Sequence, residues 1–199
     1  MLDTKAKPYV TPVLNFLADR MLKWSLTANQ VTVAAFIIGI ASVVFLYFDF
    51  VMISFILLWL SGLLDALDGT IARKTKKTAF GTVLDVTFDR LVEAGIIIAL
   101  AVKYPQNQLI LLVLMTSILF GITVFLVIGN VIKNDGVKSF HYAPALAERS
   151  EGFLLLSAMM FSPANVLFWP TLLFIVVETI SGIQRLAEAY RQLEREGDI

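Results

Sequence analysis

Residues 31–64 read VTVAAFIIGIASVVFLYFDFVMISFILLWLSGLL, with Asp49 as the single charged side chain in the stretch. A bilayer core of about 30 Å is crossed by roughly 20 helical residues. The stretch is therefore too long for one span, and Asp49 divides it into two helices that turn there. Composition points the same way. The chain of 199 residues is 58% apolar and 16% charged, with a mean hydropathy of +0.79, whereas soluble domains carry about 25% charged residues. An integral membrane protein is expected. Sixteen Lys and Arg balance sixteen Asp and Glu, which argues against a nucleic-acid partner held on a basic surface. The lack of cysteine rules out disulfides, thiolate catalysis and cysteine–zinc sites. With His141 as the single histidine, any chemistry must run on carboxylates, hydroxyls, arginine and lysine. His141 itself reads as structural or solvated.

Toward the N-terminus, residues 8–24 form an amphipathic pattern beginning near Pro8 and ending at Trp24. Val10, Leu14, Leu17 and Met21 repeat at helical spacing while Asn15, Asp19, Arg20 and Lys23 take other faces. Such a helix lies in the headgroup layer or packs against the bundle, and both readings stay open. The segment has no continuous apolar core and no small-residue cleavage site, so it does not read as a signal peptide. Toward the C-terminus, further spans are expected over 81–102, 108–132, from near Pro144 to Phe161, and from Ala164 to about Gln184. The expected fold is an all-α integral membrane protein with six transmembrane helices and an N-terminal juxtamembrane amphipathic helix. It is one domain over 1–199, its bundle over 31–186. Lys5, Lys7, Arg20, Lys23, Arg73, Lys74, Lys76, Lys77, Lys133, Lys138, Arg149, Arg185, Arg191 and Arg195 then all fall on one side. By the positive-inside rule that side, with both termini, is cytoplasmic.

Charges inside membrane helices are costly and call for a reason. Asp65 and Asp68 stand at i and i+3 at the end of the second span. Gly81, Asp85 and Asp89 stand at i, i+4 and i+8 at the start of the third. A short basic connection folds these two faces together, and four converging carboxylates would repel strongly in a low dielectric. Divalent cations relieve that repulsion, and all-oxygen ligation suits magnesium, manganese or calcium. Gly69 and Gly81 leave room for a nucleotide or phosphate to approach backbone. Arg73 sets a fixed cation beside them.

The pattern Asp65-x-x-Asp68-Gly69-x-x-Ala72-Arg73, followed by Gly81-x-x-x-Asp85-x-x-x-Asp89, resembles in full the signature of the CDP-alcohol phosphotransferase family. Within that family the phosphatidylinositol-phosphate synthases are the nearest likeness. The resemblance implies phospholipid biosynthesis in the cell membrane. A phosphatidyl-type group passes from a CDP-linked lipid such as CDP-diacylglycerol to an alcohol, releasing CMP at the cytoplasmic face. It implies two divalent ions, Mg2+ or Mn2+, on Asp65, Asp68, Asp85 and Asp89, with Asp89 also the general base. Nucleotide contacts correspond to Gly69, Ala72, Arg73, Thr78 and Gly81, and to Asn29 and Thr32 in Leu26-Thr27-Ala28-Asn29-Gln30-Val31-Thr32. Many relatives carry proline at the position of Ala28. A homodimer is implied as well.

Lys133, Arg149 and Arg185 end or open helices on the same face. Similarly placed cations bind the acceptor phosphate in members that use inositol phosphate, and Glu148-Arg149-Ser150-Glu151-Gly152 resembles a segment of those enzymes. Glu93 and Glu178 could brace such cations. Basic residues at cytoplasmic helix ends are also ordinary topology signals. Glycerol phosphate or serine is the alternative acceptor. A cation transporter is the rival from another class. It would spread ionisable groups through the bilayer depth, whereas here they cluster at one end.

Overall fold

The computed structural model describes residues 2–131 and 149–196. Its elements are α1 (Leu2–Lys23), α2 (Ala28–Tyr47), α3 (Val51–Lys74), α4 (Ala79–Lys103), a single 3-10 turn at Pro105–Asn107, α5 (Gln108–Val131), α6 (Arg149–Phe161) and α7 (Phe168–Glu196). Among the described residues there is no strand. Among the described residues, three helical segments are long and apolar enough to cross a bilayer: Ala28–Tyr47, Val51–Lys74 and Pro105–Val131. In α4 the charges of Asp85, Asp89, Arg90 and Glu93 interrupt the apolar run. The chain forms two compact units: α1 to α4 with Leu156–Phe161, and α5 with α7 and the start of α6.

In the first unit, α2 opens with a capping box. Thr27 Oγ1 accepts from the Gln30 amide, and Gln30 Oε1 accepts from the Thr27 amide. Ala28 is thus the first helical residue, the position that tolerates proline because its N–H has no helical partner. Alanine there keeps the helix start. The expected turn at Asp49 is present, with Asp49 at φ 68°, and its carboxylate pairs with Lys103 at the end of α4. Apolar pairing alone gives two helices no reason to prefer each other over lipid, so close packing and hydrogen bonds bind them. Ser42 Oγ donates to Ser54 O (2.8 Å), Ser54 Oγ to Ser42 O (2.7 Å) and Ser61 Oγ to Ala35 O (2.8 Å). A Cβ at Gly39 would stand 2.5 Å from Val92 and 2.9 Å from Ser61 Oγ, and one at Gly95 2.7 Å from Val43. These two glycines let α2, α3 and α4 meet closely.

The N-terminal helix starts earlier than Pro8 and runs from Leu2. Ala18 is fully buried with Val31, Leu67 and Ile71, and Leu14, Leu17 and Met21 pack on them. Val10, expected on that stripe, is 44% exposed, as are Val13, Phe16 and Trp24 to a greater degree. Of the two readings, packing against the bundle accounts for the stripe. In the second unit the last helix begins at Phe168 rather than Ala164, because Pro163 O accepts the Val166 and Leu167 amides in a turn (2.9 and 3.0 Å). Pro170 then falls within the first helical turn, where its missing N–H is harmless. The helix continues past Gln184 to Glu196. Residues 144–148, the expected start of the fifth span, lie outside the described residues, as does Ile132.

Candidate active site

Asp65, Asp68, Gly69, Ala72 and Arg73 occupy the last three turns of α3, and Gly81, Asp85 and Asp89 the first three of α4. Both helices carry their acidic faces toward one point. One carboxylate oxygen from each of Asp65, Asp68 and Asp85 lies within 4.8 Å of the others. Asp65 and Asp68 are 8% and 5% exposed. At such separations three ionised carboxylates repel by at least about 3.5 kcal/mol per pair at an effective dielectric near 20. That approaches the whole stability of a domain, about 5–15 kcal/mol. The arrangement therefore suits a bound cation. A second observation agrees: Asp68 Oδ2 is buried with no hydrogen-bond partner among the described residues, and a buried acceptor rarely stays so. The oxygen donor set fits a hard divalent ion.

Asp89 stands one turn beyond Asp85 and is not one of the three oxygens in that cluster. Its charged neighbours are Glu93, Arg90, Asp85 and Asp68. Thr32 of α2 is buried against the Asp68 carboxyl, and its Oγ1 donates to Ala28 O at 3.0 Å. Asn29, one turn earlier, sits over Gly81: a Cβ there would be 2.8 Å from Asn29 Oδ1. Thr78 is the N-cap of α4, its Oγ1 accepting from the Gly81 amide at 3.0 Å. Gly81 thus leaves room for the Asn29 side chain of α2 against the start of α4, whereas a Cβ at Gly69 would make ordinary contact with Arg73 at 3.5 Å. Arg73 Nη2 donates to Thr70 Oγ1 at 2.8 Å, and the guanidinium reaches Asp68 electrostatically. Ala72 is half-buried one turn after Asp68.

The sequence reading missed Thr70. Its buried hydroxyl steadies Arg73 and donates to Ala66 O at 2.9 Å; its i, i+3 spacing from Arg73 was the available signal. Lys74 is drawn away from the site, pairing with Asp19 of α1 at 2.6 Å and donating to Asn15 O. Glu93 pairs with Arg90 of its own helix at 2.6 Å. In the other unit, Arg185 lies over the Phe125 ring at 5.5 Å, and the Glu178 carboxylate faces Gly121. Lys133 and His141 lie outside the described residues, and Arg149 is placed only as the first residue of α6.

The model of the CDP-alcohol phosphatidyltransferase family matches residues 25–181. The archaetidylinositol phosphate synthase of Pyrococcus horikoshii is 28% identical over 194 residues, covering 96% of this chain and 98% of that protein. A protein of Aquifex aeolicus with no function in its name is 37% identical over 108 residues, and there the chain spans about half of it (55%). Among solved structures, Mycobacterium tuberculosis phosphatidylinositol phosphate synthase with CDP-DAG bound superposes with a TM-score of 0.72 at 20% identity, over 90% of this chain and 94% of that one. The same enzyme in complex with manganese and citrate gives 0.71 at 21% identity, over 89% and 88%. The likeness to these structures is one of fold. The acidic signature shared by α3 and α4 lies wholly inside the matched region, and the chain is an integral membrane enzyme of the CDP-alcohol phosphatidyltransferase family.

Proposed function

We propose that this enzyme transfers a phosphatidyl-type group from a CDP-linked lipid to inositol phosphate, releasing CMP. The observation that carries the reading is the convergence of Asp65, Asp68 and Asp85 oxygens within 4.8 Å, with one buried oxygen of Asp68 unpartnered. Asp65, Asp68, Asp85 and Asp89 would hold two divalent ions, Mg2+ or Mn2+, which supply charge stabilisation at the entering and leaving oxygens. Asp89, at the edge of the cluster, takes the proton of the acceptor hydroxyl as that oxygen forms its bond to the lipid-side phosphorus. The bond to the CMP phosphate breaks, and the pair of electrons leaves with CMP. Asn29 and Thr32 on α2, with Gly69, Ala72, Arg73, Thr78 and Gly81, form the nucleotide side. Arg73 meets phosphate as a fork already steadied by Thr70.

Lys133, Arg149 and Arg185 hold the acceptor phosphate in this reading. The name of the Pyrococcus relative, archaetidylinositol phosphate synthase, supports that acceptor. The topology proposed is six spans in one domain, with α4, α6 and α7 joining the three plainly apolar helices. The site and both termini are cytoplasmic, where the basic residues gather, and two copies form a homodimer. The test is purified protein with CDP-diacylglycerol and a panel of inositol phosphate, glycerol phosphate, serine and free inositol, reading CMP release. Turnover highest with inositol phosphate is expected; preference for serine or free inositol refutes the acceptor, and no CMP with any alcohol refutes the reaction.

A further inference from the structure

Arg90 follows Asp89 directly in α4, and its guanidinium acts electrostatically on both Asp85 and Asp89. A mobile cation at that position would compete with any other cation for those carboxylates. Arg90 is not left to do so. Its Nη1 lies 2.6 Å from Glu93 Oε2, with side chains 37% and 14% exposed. Glu93 continues the face of Asp85 and Asp89 by one further turn. Keeping an ion pair inside a membrane helix has a desolvation cost, and neither member is used in the reaction proposed above.

Resting on the metal reading above, we propose that Glu93 is a positioning residue that competes with Asp85 and Asp89 for the Arg90 guanidinium, so that less of its charge opposes divalent cations at those carboxylates. The i, i+3 spacing is the physical device: it draws Arg90 to a partner on the following turn of α4. Glu93 also bears a negative charge of its own, which would attract a cation without any action on Arg90. The two roles separate in a double-mutant cycle, because the positioning role exists only while Arg90 is present.

The experiment is a manganese titration of the full chain in lipid nanodiscs, following the electron paramagnetic resonance signal of the free ion. It is run on the native chain, Glu93→Gln, Arg90→Gln and the double variant. Glu93→Gln is expected to weaken manganese binding about tenfold, the scale on which an opposite charge brought within ~4–6 Å alters a carboxylate. In the Arg90→Gln background the same substitution is expected to change binding by less than about twofold. Equal fold-changes in both backgrounds, or none in either, overturn the proposal while leaving the metal reading intact. A native chain that binds no manganese overturns both. If Glu93→Gln fails to fold, Glu93→Asp keeps the charge and draws the carboxylate back by one methylene. It is expected to weaken binding by a smaller factor, again only when Arg90 is present, and an equal effect without Arg90 overturns the proposal.

Discussion

A methyl group on residue 81 would stand 2.8 Å from Asn29 Oδ1 and 2.9 Å from Thr78 Oγ1. Both are roughly 0.6–0.7 Å inside the ~3.5 Å separation at which heavy atoms meet without repulsion. Both obstacles are the ends of side chains rather than backbone, so Gly81→Ala should fold with those ends displaced. The displaced Thr78 hydroxyl is the N-cap of α4; losing it costs about 1 kcal/mol, which lowers the melting temperature by about 2–4 °C in a chain of this size. The displaced Asn29 amide is proposed to contact nucleotide phosphate or ribose. A hydrogen bond to a charged group contributes roughly 1.5–3 kcal/mol, so its loss raises the apparent KM for CDP-diacylglycerol about 10- to 150-fold, with kcat at saturating lipid much less affected. CMP release at varied CDP-lipid, alongside a thermal melt, measures both. Asn29→Ala should raise KM similarly without the melting change, and adding Gly81→Ala to it should then change KM little. A Gly81→Ala enzyme that melts lower yet keeps the native KM for CDP-lipid would refute the nucleotide role of Asn29.

Chelation gives the plainest check of the acidic cluster: CMP release should cease in excess EDTA and return with Mg2+ or Mn2+, and undiminished turnover after exhaustive metal removal contradicts the site. Asp89→Asn should lower kcat by about 10²–10⁴, the usual effect of removing a general base, while CDP-lipid binding is largely kept. Asp68→Asn should instead weaken manganese binding itself, since its buried Oδ2 has no other partner among the described residues; the reverse ranking of these two variants would exchange their roles. Arg149→Ala should raise the KM for inositol phosphate about 10- to 150-fold and leave that for CDP-diacylglycerol near native, so an equal rise in both removes Arg149 from the acceptor side.

What could be read along the chain follows from periodicity and solvation, properties that each helix carries alone. The split of residues 31–64 at Asp49, the placing of Asp65 with Asp68 on one face and of Gly81, Asp85 and Asp89 on another, and the apolar stripe of Leu14, Leu17 and Met21 all emerge from spacing. The start of α7 at Phe168 and the exposure of Val10 are not visible in the spacing, because a proline-anchored turn and the edge of a contact depend on neighbours that periodicity does not see. The same holds for the site. That two acidic faces meet within 4.8 Å depends on how closely backbones approach. Gly39 and Gly95 help to set that approach, against Val92, Ser61 and Val43 of neighbouring helices. Asn29 over Gly81 and Thr32 against Asp68 likewise join segments some forty or fifty residues apart. The residue types at the site were settled by the sequence, since only carboxylates at helical spacing supply such a cluster. Which oxygens converge, and which cation each acid faces, was decided by tertiary packing, because electrostatic energy depends on distances between helices that no single helix contains.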